Sequence, residues 1–182
     1  MIKKTLNQNA KYAQEFMKTI ETDFVFSDKP INRFKVNLTE NKNTSINKKK
    51  LLNDLKTKIN SIENCNLKNN SKNLVLGEGN INADVMLIGE TPGEIEDETG
   101  LCFQGEVGNL LNKMLLAINI KRENIYTTYS INFRPPEDRK PTGQEIKRYA
   151  IFLKEHIAII DPKILILMGN TAMEAITGLS KI

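Results

Sequence analysis

The second part of the chain alternates short apolar runs with amphipathic stretches, and this alternation limits the possible folds more than any other feature. Apolar runs at 74–76, 85–88 and 164–167 and a β-branched and aromatic strand at 125–131 alternate with stretches of helical periodicity at 107–118 and 146–160, and a last short helix follows at 170. Short apolar runs bounded by glycine or polar residues are typical of buried parallel strands. Strands that alternate with helices predict an α/β fold, here a three-layer sandwich with a central, mostly parallel sheet.

Helical periodicity in this region predicts buried faces and helix ends. Thr142 and Glu145 match a capping box at the start of the second helix, and Asp161-Pro162 predicts its end. The only histidine, His156, is predicted at a surface or boundary position of this helix, without a catalytic role. Apolar residues at intervals of three and four mark one face of each helix. They are Val107, Leu110, Leu111, Met114, Leu115 and Ile118 in the first, and Ile146, Tyr149, Ala150, Leu153, Ile157 and Ile160 in the second.

Residues 1–60 differ in character and are predicted to form a helical, partly disordered N-terminal extension of an α/β domain at 61–182. Between two amphipathic stretches, the polar segment from Ser27 to Lys50 is rich in asparagine and lysine and predicts a loop or linker. Both flanking stretches have helical spacing. Their apolar residues are Leu6, Ala10, Ala13, Met17 and Ile20 in the first, and Leu51, Leu52, Leu55, Ile59 and Ile62 in the second.

Composition narrows the class of protein. With 182 residues, 40% hydrophobic and 26% charged, the chain suits one globular domain with an appendage. It has neither an apolar run long enough to span a bilayer nor a signal-peptide pattern, which predicts a cytoplasmic protein without membrane association. Cys65 and Cys102 stand in no paired ligand spacing, so neither a disulfide framework nor a zinc site is indicated. The net charge of +4 permits nucleic-acid binding without establishing it.

The stretch from Val85 to Gly108, VMLIGETPGEIEDETGLCFQGEVG, is the candidate active site. A short strand ends in a Gly-Glu-Thr-Pro-Gly turn, and an acidic loop then leads to Phe103. Glycines on both sides of Glu90-Thr91-Pro92 let the backbone approach a ligand closely, and Pro92 stiffens the turn. Ligands of open α/β sheets bind at the carboxyl ends of strands, which is where this turn is predicted.

The acidic residues of this loop have two interpretations. Glu94, Glu96, Asp97 and Glu98 would suit a divalent metal ion, but acidic residues in a first helical turn more often serve solvation and the helix dipole. We favour the second interpretation and predict no metal site.

Three segments resemble the type 4 uracil-DNA glycosylases in order, spacing and content. They are GEGNINADVMLIGETPGEIEDETGLCFQGEVGNLLNKML, ENIYTTYSINFRPPEDRKPTGQEI and IDPKILILMGNTAMEAITG. The shared signatures are GE-x-PG-x-x-ED, G-x-x-F-x-G and RPP-x-x-R-x-P, and three signatures in register are specific where one would be weak. The resemblance spans roughly residues 61–178. It implies a uracil-DNA glycosylase fold and hydrolysis of the N-glycosidic bond of uracil in DNA, a step of base-excision repair.

The resemblance also implies roles for individual residues. Phe103 matches the family's stacking phenylalanine, and Glu90 matches its acidic residue, which positions water and stabilises positive charge on the sugar. The peptide groups of Gly89-Glu90-Thr91 would face the uracil. Arg134 and Arg139 would contact DNA phosphates without reading sequence.

Three departures from the family pattern accompany the resemblance. Tyr129 stands where the family has its uracil-reading asparagine, and a phenol offers one hydroxyl and more bulk than a carboxamide. The family's last strand and its His-Pro-x-x-Leu motif lie beyond Ile182, so we expect the strand at 164–167 to keep an unpaired edge unless a second copy or a separate C-terminal segment covers it. The family's iron-sulfur cluster uses four cysteines, and we predict no cluster and no cofactor here. Only Cys65 occupies a cysteine position, while the other three are Ile62, Phe133 and Tyr149.

Two hypotheses of function follow. The first is a uracil-DNA glycosylase-type hydrolase that acts on DNA containing uracil through Glu90 and Phe103, with Gly89, Thr91 and Tyr129 in the substrate pocket. The second is a catalytically inactive, truncated remnant of that family that still binds DNA. A phosphate-ester hydrolase that uses the acidic loop is a distant third.

Overall fold

A computed structural model describes residues 40–179, with side chains from residue 47 onward. Four strands form one mixed sheet in the order β1-β3-β2-β4. Strand β2 is parallel to both β3 and β4, whereas the short β1 is antiparallel to β3. The strands are β1 (Glu78–Gly79), β2 (Val85–Gly89), β3 (Tyr126–Tyr129) and β4 (Ile164–Leu167). The predicted α/β class is thus confirmed.

Helices lie between these strands in the predicted alternation. They are α1 (Glu40–Asn60), α2 (Asn66–Asn70), α3 (Glu94–Thr99), α4 (Gly105–Ala117), α5 (Gly143–Ile160) and α6 (Asn170–Thr177). Two 3-10 turns, Arg122–Asn124 and Pro136–Asp138, flank β3. The first amphipathic stretch, with Leu6 to Ile20, lies outside the described residues.

The sheet separates two apolar cores. Side chains alternate along β2: Met86 and Ile88 join the core that contains residues of α1, α5 and α6, whereas Leu87 joins the core that contains Leu111 and Leu115 of α4. This alternation is the period of two that a strand imposes on its side chains. Helices on both sides of the sheet give the three layers.

Helix α1 contributes Leu52, Leu55 and Ile59 to the same core as α5. It begins at Glu40, so the prediction of a loop from Ser27 to Lys50 is wrong for its last eleven residues. Lys48 Nζ donates a hydrogen bond to Ile160 O at 2.7 Å, a contact that satisfies a carbonyl at the C-terminal end of α5. The division of the chain at residue 60 stays a prediction.

Two predicted strands differ from those observed. The segment 74–76 was predicted as a parallel strand, but it forms no strand. Val75 N–H donates to Asn132 O, and Asn132 Nδ2 donates to Val75 O. Strand pairing begins at Glu78 and is antiparallel. Strand β4 was predicted to be buried, yet Ile164 is 55% and Leu165 38% exposed. Among the described strands β4 pairs only with β2, so it lies at the sheet edge. Cover of this edge by a second copy or a separate segment stays a prediction.

The apolar residues of α4 do not form one buried face. Leu111 and Leu115 are buried with Gly108, whereas Val107, Leu110 and Met114 are more than half exposed. The intervals of three and four predicted the helix correctly but mixed two of its faces.

Helix α5 starts and stops as predicted. Thr142 N–H donates to Glu145 Oε2 at 2.7 Å and Glu145 N–H donates to Thr142 Oγ1 at 3.3 Å, which completes the capping box. The predicted surface or boundary position of His156 is wrong, since this residue is only 1% exposed and its Nε2 lies 3.0 Å from Tyr126 Oη. Burial lowers the pKa of His156 to about 4 from an ordinary value of 6.5.

This buried histidine predicts a loss of stability in mild acid. The His156 imidazole is protonated near pH 6.5 in the unfolded chain but only near pH 4 in the folded protein. Protonation therefore favours the unfolded chain, so the free energy of unfolding is highest above pH 6.5 and decreases as the pH falls toward 4. The expected loss is about 3 kcal/mol. Urea unfolding between pH 7.5 and 4 measures it, with His156→Gln as a matched variant that keeps a hydrogen-bonding group without titrating in this window. An equal pH dependence in the variant would contradict the assignment.

No helix within residues 40–179 is both long and apolar enough to cross a bilayer.

Candidate active site

The carboxyl ends of β2 and β3 lie side by side at the centre of the candidate site. Gly89, the last residue of β2, pairs with Tyr129, the last residue of β3. Because the strands are parallel, the loops that follow them leave the sheet at the same edge, where ligands of open α/β sheets bind. The loop between α3 and α4 brings Phe103 to this edge. Three predicted site residues therefore meet.

Phe103 and Tyr129 form a stacked pair. Their ring centroids lie 4.8 Å apart, with an angle of 28° between the ring planes. Phe103 N–H donates to Tyr129 Oη at 3.0 Å, and both residues are 5% exposed. A Cβ at Gly89 would come within 2.8 Å of Phe103 Cζ and Tyr129 Cδ1. Only glycine lets the strand end lie this close to both rings.

The backbone of Phe103 has an unusual conformation. Its φ is 50°, in the left-handed region that bulky residues rarely occupy. Gly108 in the first turns of α4 lies against the Phe103 carbonyl, where a Cβ would be 1.8 Å from the oxygen. Arg122 Nη2 donates to Cys102 O at 2.6 Å, and Arg122 Cζ lies over the Phe103 ring, 6.0 Å from its centroid. Strained backbone held by its surroundings is typical of functional sites. Gly108 ends the predicted stretch without a predicted role, and sequence patterns did not indicate Arg122.

Glu96 is a site residue that the sequence interpretation assigned to solvation or the helix dipole. It is 7% exposed and accepts hydrogen bonds from Gly93 N–H at 3.0 Å and Gln104 N–H at 2.9 Å. Burial raises the pKa of the Tyr129 phenol, and the negative charge of Glu96 adds to this increase. The hydrogen bond from Phe103 N–H lowers the same pKa. Glu96 therefore ties the turn after β2 to the Phe103 loop. Its position three residues after the Gly93 N-cap was the available signal.

Asp97 holds a neighbouring segment in place. It is 2% exposed and accepts hydrogen bonds from Lys72 N–H at 2.9 Å and Asn73 N–H at 3.1 Å. This carboxylate is buried in backbone contacts rather than solvated. Within the part of the chain that the structure describes, no three His, Cys, Asp or Glu side chains come together as ligands for a metal ion.

Glu90 follows Gly89, but its side chain lies against the start of α6. Its Oε1 accepts a hydrogen bond from Thr171 N–H at 2.9 Å, and a Cβ at Gly169 would be 2.4 Å from Glu90 Cδ. The positive end of the helix dipole attracts a carboxylate in this position. Residues 47–179 form no hydrogen bond with Glu90 Oε2, and the side chain is exposed. The adjacent Thr91 is half-buried in the turn.

Both arginines predicted to contact phosphate are paired with carboxylates. Arg134 donates to Asp138 through Nε at 2.7 Å and Nη2 at 2.8 Å. Arg139 donates to Glu145 through Nη1 at 2.9 Å and Nη2 at 2.7 Å. A phosphate would have to exchange with, or share, these carboxylates. Phosphate contact by either residue stays a prediction.

Of the four positions where the family has cluster cysteines, only one holds a cysteine here, Cys65. The side chains at the other three positions belong to the same apolar core or pack against it. Cys65 Sγ lies 3.3 Å from Tyr149 Oη, and the rings of Tyr149 and Phe133 meet edge to face with centroids 6.3 Å apart. Ile62 packs against the same core. One thiol, one phenol and two hydrocarbon side chains do not supply the four thiolates of an iron-sulfur cluster. The residues present do not fit that group.

Comparison with known proteins gives a family match over the second part of the chain. The family model of the uracil DNA glycosylase superfamily matches residues 76–182, which include Gly89, Glu90, Phe103 and Tyr129. The type-4 uracil-DNA glycosylase of Thermotoga maritima is 40% identical over 109 residues, or 60% of this chain and 57% of the relative. That of Archaeoglobus fulgidus is 35% identical over 128 residues, or 70% of this chain and 64% of the relative.

A DNA polymerase of Bacillus phage SP01 is also similar, with 31% identity over 107 residues that cover 58% of this chain and 12% of the polymerase. The chain thus spans between about half and two thirds of the length of the type-4 relatives that it matches. The family model covers more than half of the chain. The chain therefore belongs to the uracil DNA glycosylase superfamily.

Proposed function

We propose that this chain hydrolyses the N-glycosidic bond between uracil and deoxyribose in DNA. The observation that carries the proposal is the meeting of Phe103 with the Gly89-Glu90 turn at the carboxyl ends of β2 and β3, inside the stretch that the superfamily model matches. An aromatic ring supplies a stacking surface for a base that has left the helix. A carboxylate supplies negative charge beside the sugar.

The reaction assigns distinct tasks to these groups. The flipped uracil stacks on Phe103, and peptide groups of the Gly89-Glu90-Thr91 turn contact its edge. As the C1′–N1 bond breaks, its electron pair leaves with the uracil anion, and Glu90 stabilises the positive charge that develops on the sugar. A water oxygen then bonds to C1′, Glu90 accepts the water proton, and the uracil anion takes a proton from solvent. Glu90 Oε2 is the oxygen available for this role because Oε1 is bonded to Thr171.

DNA containing uracil is the proposed substrate, and the cytoplasm is the proposed location. Arg134 and Arg139 are the proposed phosphate contacts, and their carboxylate partners Asp138 and Glu145 would exchange for phosphate when DNA binds. Such contacts fix the strand without reading its sequence.

The proposed activity needs no iron-sulfur cluster. The packed group of Cys65, Phe133 and Tyr149 supports this proposal because hydrophobic contact and one polar contact join the segments that a cluster would connect. Purified protein is expected to be colourless. Broad visible absorption together with bound iron would contradict it.

A second candidate function is DNA binding without base excision. The stacked phenol that covers Phe103 favours it, as does the engagement of Glu90 by α6. Such a protein would bind uracil-containing and normal oligonucleotides alike, and its affinity would fall with salt.

Uracil excision from labelled oligonucleotides distinguishes the two functions. Single-stranded and duplex substrates carry uracil, cytosine or thymine at one position, and alkaline cleavage reveals abasic sites. The proposed function predicts cleavage of the uracil substrate alone. Salt-dependent binding of all three substrates without cleavage would support the second function instead.

A further inference from the structure

One face of the Phe103 ring is covered by Tyr129. The ring is stacked with Tyr129 at 4.8 Å between centroids, and Phe103 is only 5% exposed. A phenol and a pyrimidine are both flat six-membered rings, so a base stacked on this face would need the volume that the phenol now fills.

The phenol is held in this position by several contacts. Its Oη accepts the hydrogen bond from Phe103 N–H at 3.0 Å, and its ring edge lies against Gly89. Pairing between Gly89 and Tyr129 fixes the backbone of β3 at this point. The ring can therefore leave only by side-chain rotation, while the strand remains in place.

We propose that Tyr129 is a plug of the base pocket, which must rotate away from Phe103 before a pyrimidine base can stack there. This inference rests on the proposed function, since it concerns the same pocket. Because the open state is a minor one, the apparent affinity for any base is the intrinsic affinity multiplied by the fraction of molecules that are open. If about 1–10% of molecules are open, affinity falls by about 100- to 10-fold.

The geometry distinguishes a plug from a residue that reads the base. Tyr129 Oη accepts the hydrogen bond from Phe103 N–H, so this polar group is already engaged within the protein. A residue that reads uracil would direct its polar group toward the base edge. In the plugged state Tyr129 stabilises the Phe103 loop instead.

Removal of the ring tests the plug without requiring catalysis. Free uracil is the probe, and its binding to wild type, Tyr129→Asn, Tyr129→Ala and Tyr129→Phe is measured by calorimetry after urea unfolding has shown that each variant folds. Tyr129→Asn and Tyr129→Ala are expected to bind uracil at least about tenfold more tightly than wild type. Tyr129→Phe keeps the stacked ring but loses the hydrogen bond from Phe103 N–H, so its affinity is expected to lie between that of wild type and that of Tyr129→Ala. Equal affinity of all four proteins would overturn the plug.

Excision rates separate failure of the plug from failure of the proposed function. A faster single-turnover release of uracil from DNA by both Tyr129→Ala and Tyr129→Asn than by wild type supports both proposals. If no protein releases uracil but Tyr129→Asn and Tyr129→Ala both bind free uracil more tightly than wild type, the glycosylase proposal fails and the plug stands. If wild type releases uracil as fast as Tyr129→Asn, the plug is overturned.

A measurement on Tyr129 in the wild-type protein tests the plug if Tyr129→Asn and Tyr129→Ala do not fold. The chain has four tyrosines and no tryptophan, so fluorotyrosine labelling gives few fluorine resonances, and Tyr129→Phe identifies the one from Tyr129. Addition of a uracil-containing oligonucleotide is expected to shift this resonance as the ring leaves Phe103. An unchanged Tyr129 resonance at saturating DNA would overturn the plug.

Discussion

Replacement of Gly108 by alanine is expected to destabilise the protein by about 3 kcal/mol and to displace the Phe103 loop. The added Cβ would lie 1.8 Å from Phe103 O and 2.7 Å from Phe103 C. Both atoms belong to the backbone, so no side-chain rotation relieves the overlap. Either α4 moves away from the sheet or Phe103 leaves its left-handed conformation, and either change separates Phe103 from Tyr129.

Gly143→Ala is the matched control for this substitution. Gly143 is the first residue of α5, and an added Cβ there would lie 3.9 Å from Glu174 Oε1, an ordinary contact. Because alanine favours helix more than glycine, this variant is expected to be unchanged or more stable by up to about 1 kcal/mol. Urea unfolding followed by circular dichroism measures both free energies. Equal free energies of unfolding for Gly108→Ala and wild type would contradict the close contact between Gly108 and the Phe103 backbone.

Glu90→Gln is expected to reduce uracil excision on the order of 100- to 10,000-fold with little loss of stability. The glutamine carbonyl still accepts the hydrogen bond from Thr171 N–H, but it carries no negative charge and cannot take a proton from water. The variant thus separates chemistry from anchoring. Glu90→Ala removes both, and its expected additional cost in folding free energy is about 1 kcal/mol.

A neighbouring acidic residue supplies the control for Glu90. Glu98 is an exposed residue of α3 that pairs with Lys72 at 2.8 Å. Glu98→Gln removes one negative charge from the same region of the chain and is expected to excise uracil at the wild-type rate. Equal losses in Glu90→Gln and Glu98→Gln would indicate a general effect of charge on DNA binding rather than a role at the sugar.

The elements that the sequence predicts well are those whose apolar pattern and end signals agree with their burial in the structure. Helix α5 shows both the apolar spacing and the capping box, and the structure confirms its bounds at Gly143–Ile160. Strand β2 has an apolar run that ends at glycine, and the structure ends it at Gly89. In these segments local preference and burial favour the same structure.

Other features depend on which layers pack together, which a local pattern does not contain. Helix α4 is apolar on two sides, so its spacing could not show that Leu111 is buried and Leu110 exposed. Strand β4 is as apolar as β2, but its place at the sheet edge leaves Ile164 exposed. His156 could have been placed in the core, because with Tyr149, Leu153 and Ile160 it follows the spacing of one helix face.

The candidate site was predicted in part. The turn after β2 and Phe103 were identified from the chain, and the structure brings Gly89, Phe103 and Tyr129 together. The stacking of Phe103 on Tyr129 depends on strand register and on a loop 26 residues away in sequence, which periodicity does not specify. The contact of Glu90 with α6 likewise joins residues 81 positions apart.

The most direct test of the central claim is the single-turnover rate of uracil release from an oligonucleotide by wild type, Tyr129→Asn and Phe103→Ala at saturating protein. Wild type is expected to release uracil, and Phe103→Ala is expected to be slower by about 5- to 150-fold, which corresponds to the loss of one stacked base. If neither wild type nor Tyr129→Asn releases uracil while both bind the DNA, or if Phe103→Ala is as fast as wild type, this pocket is not where the base is excised.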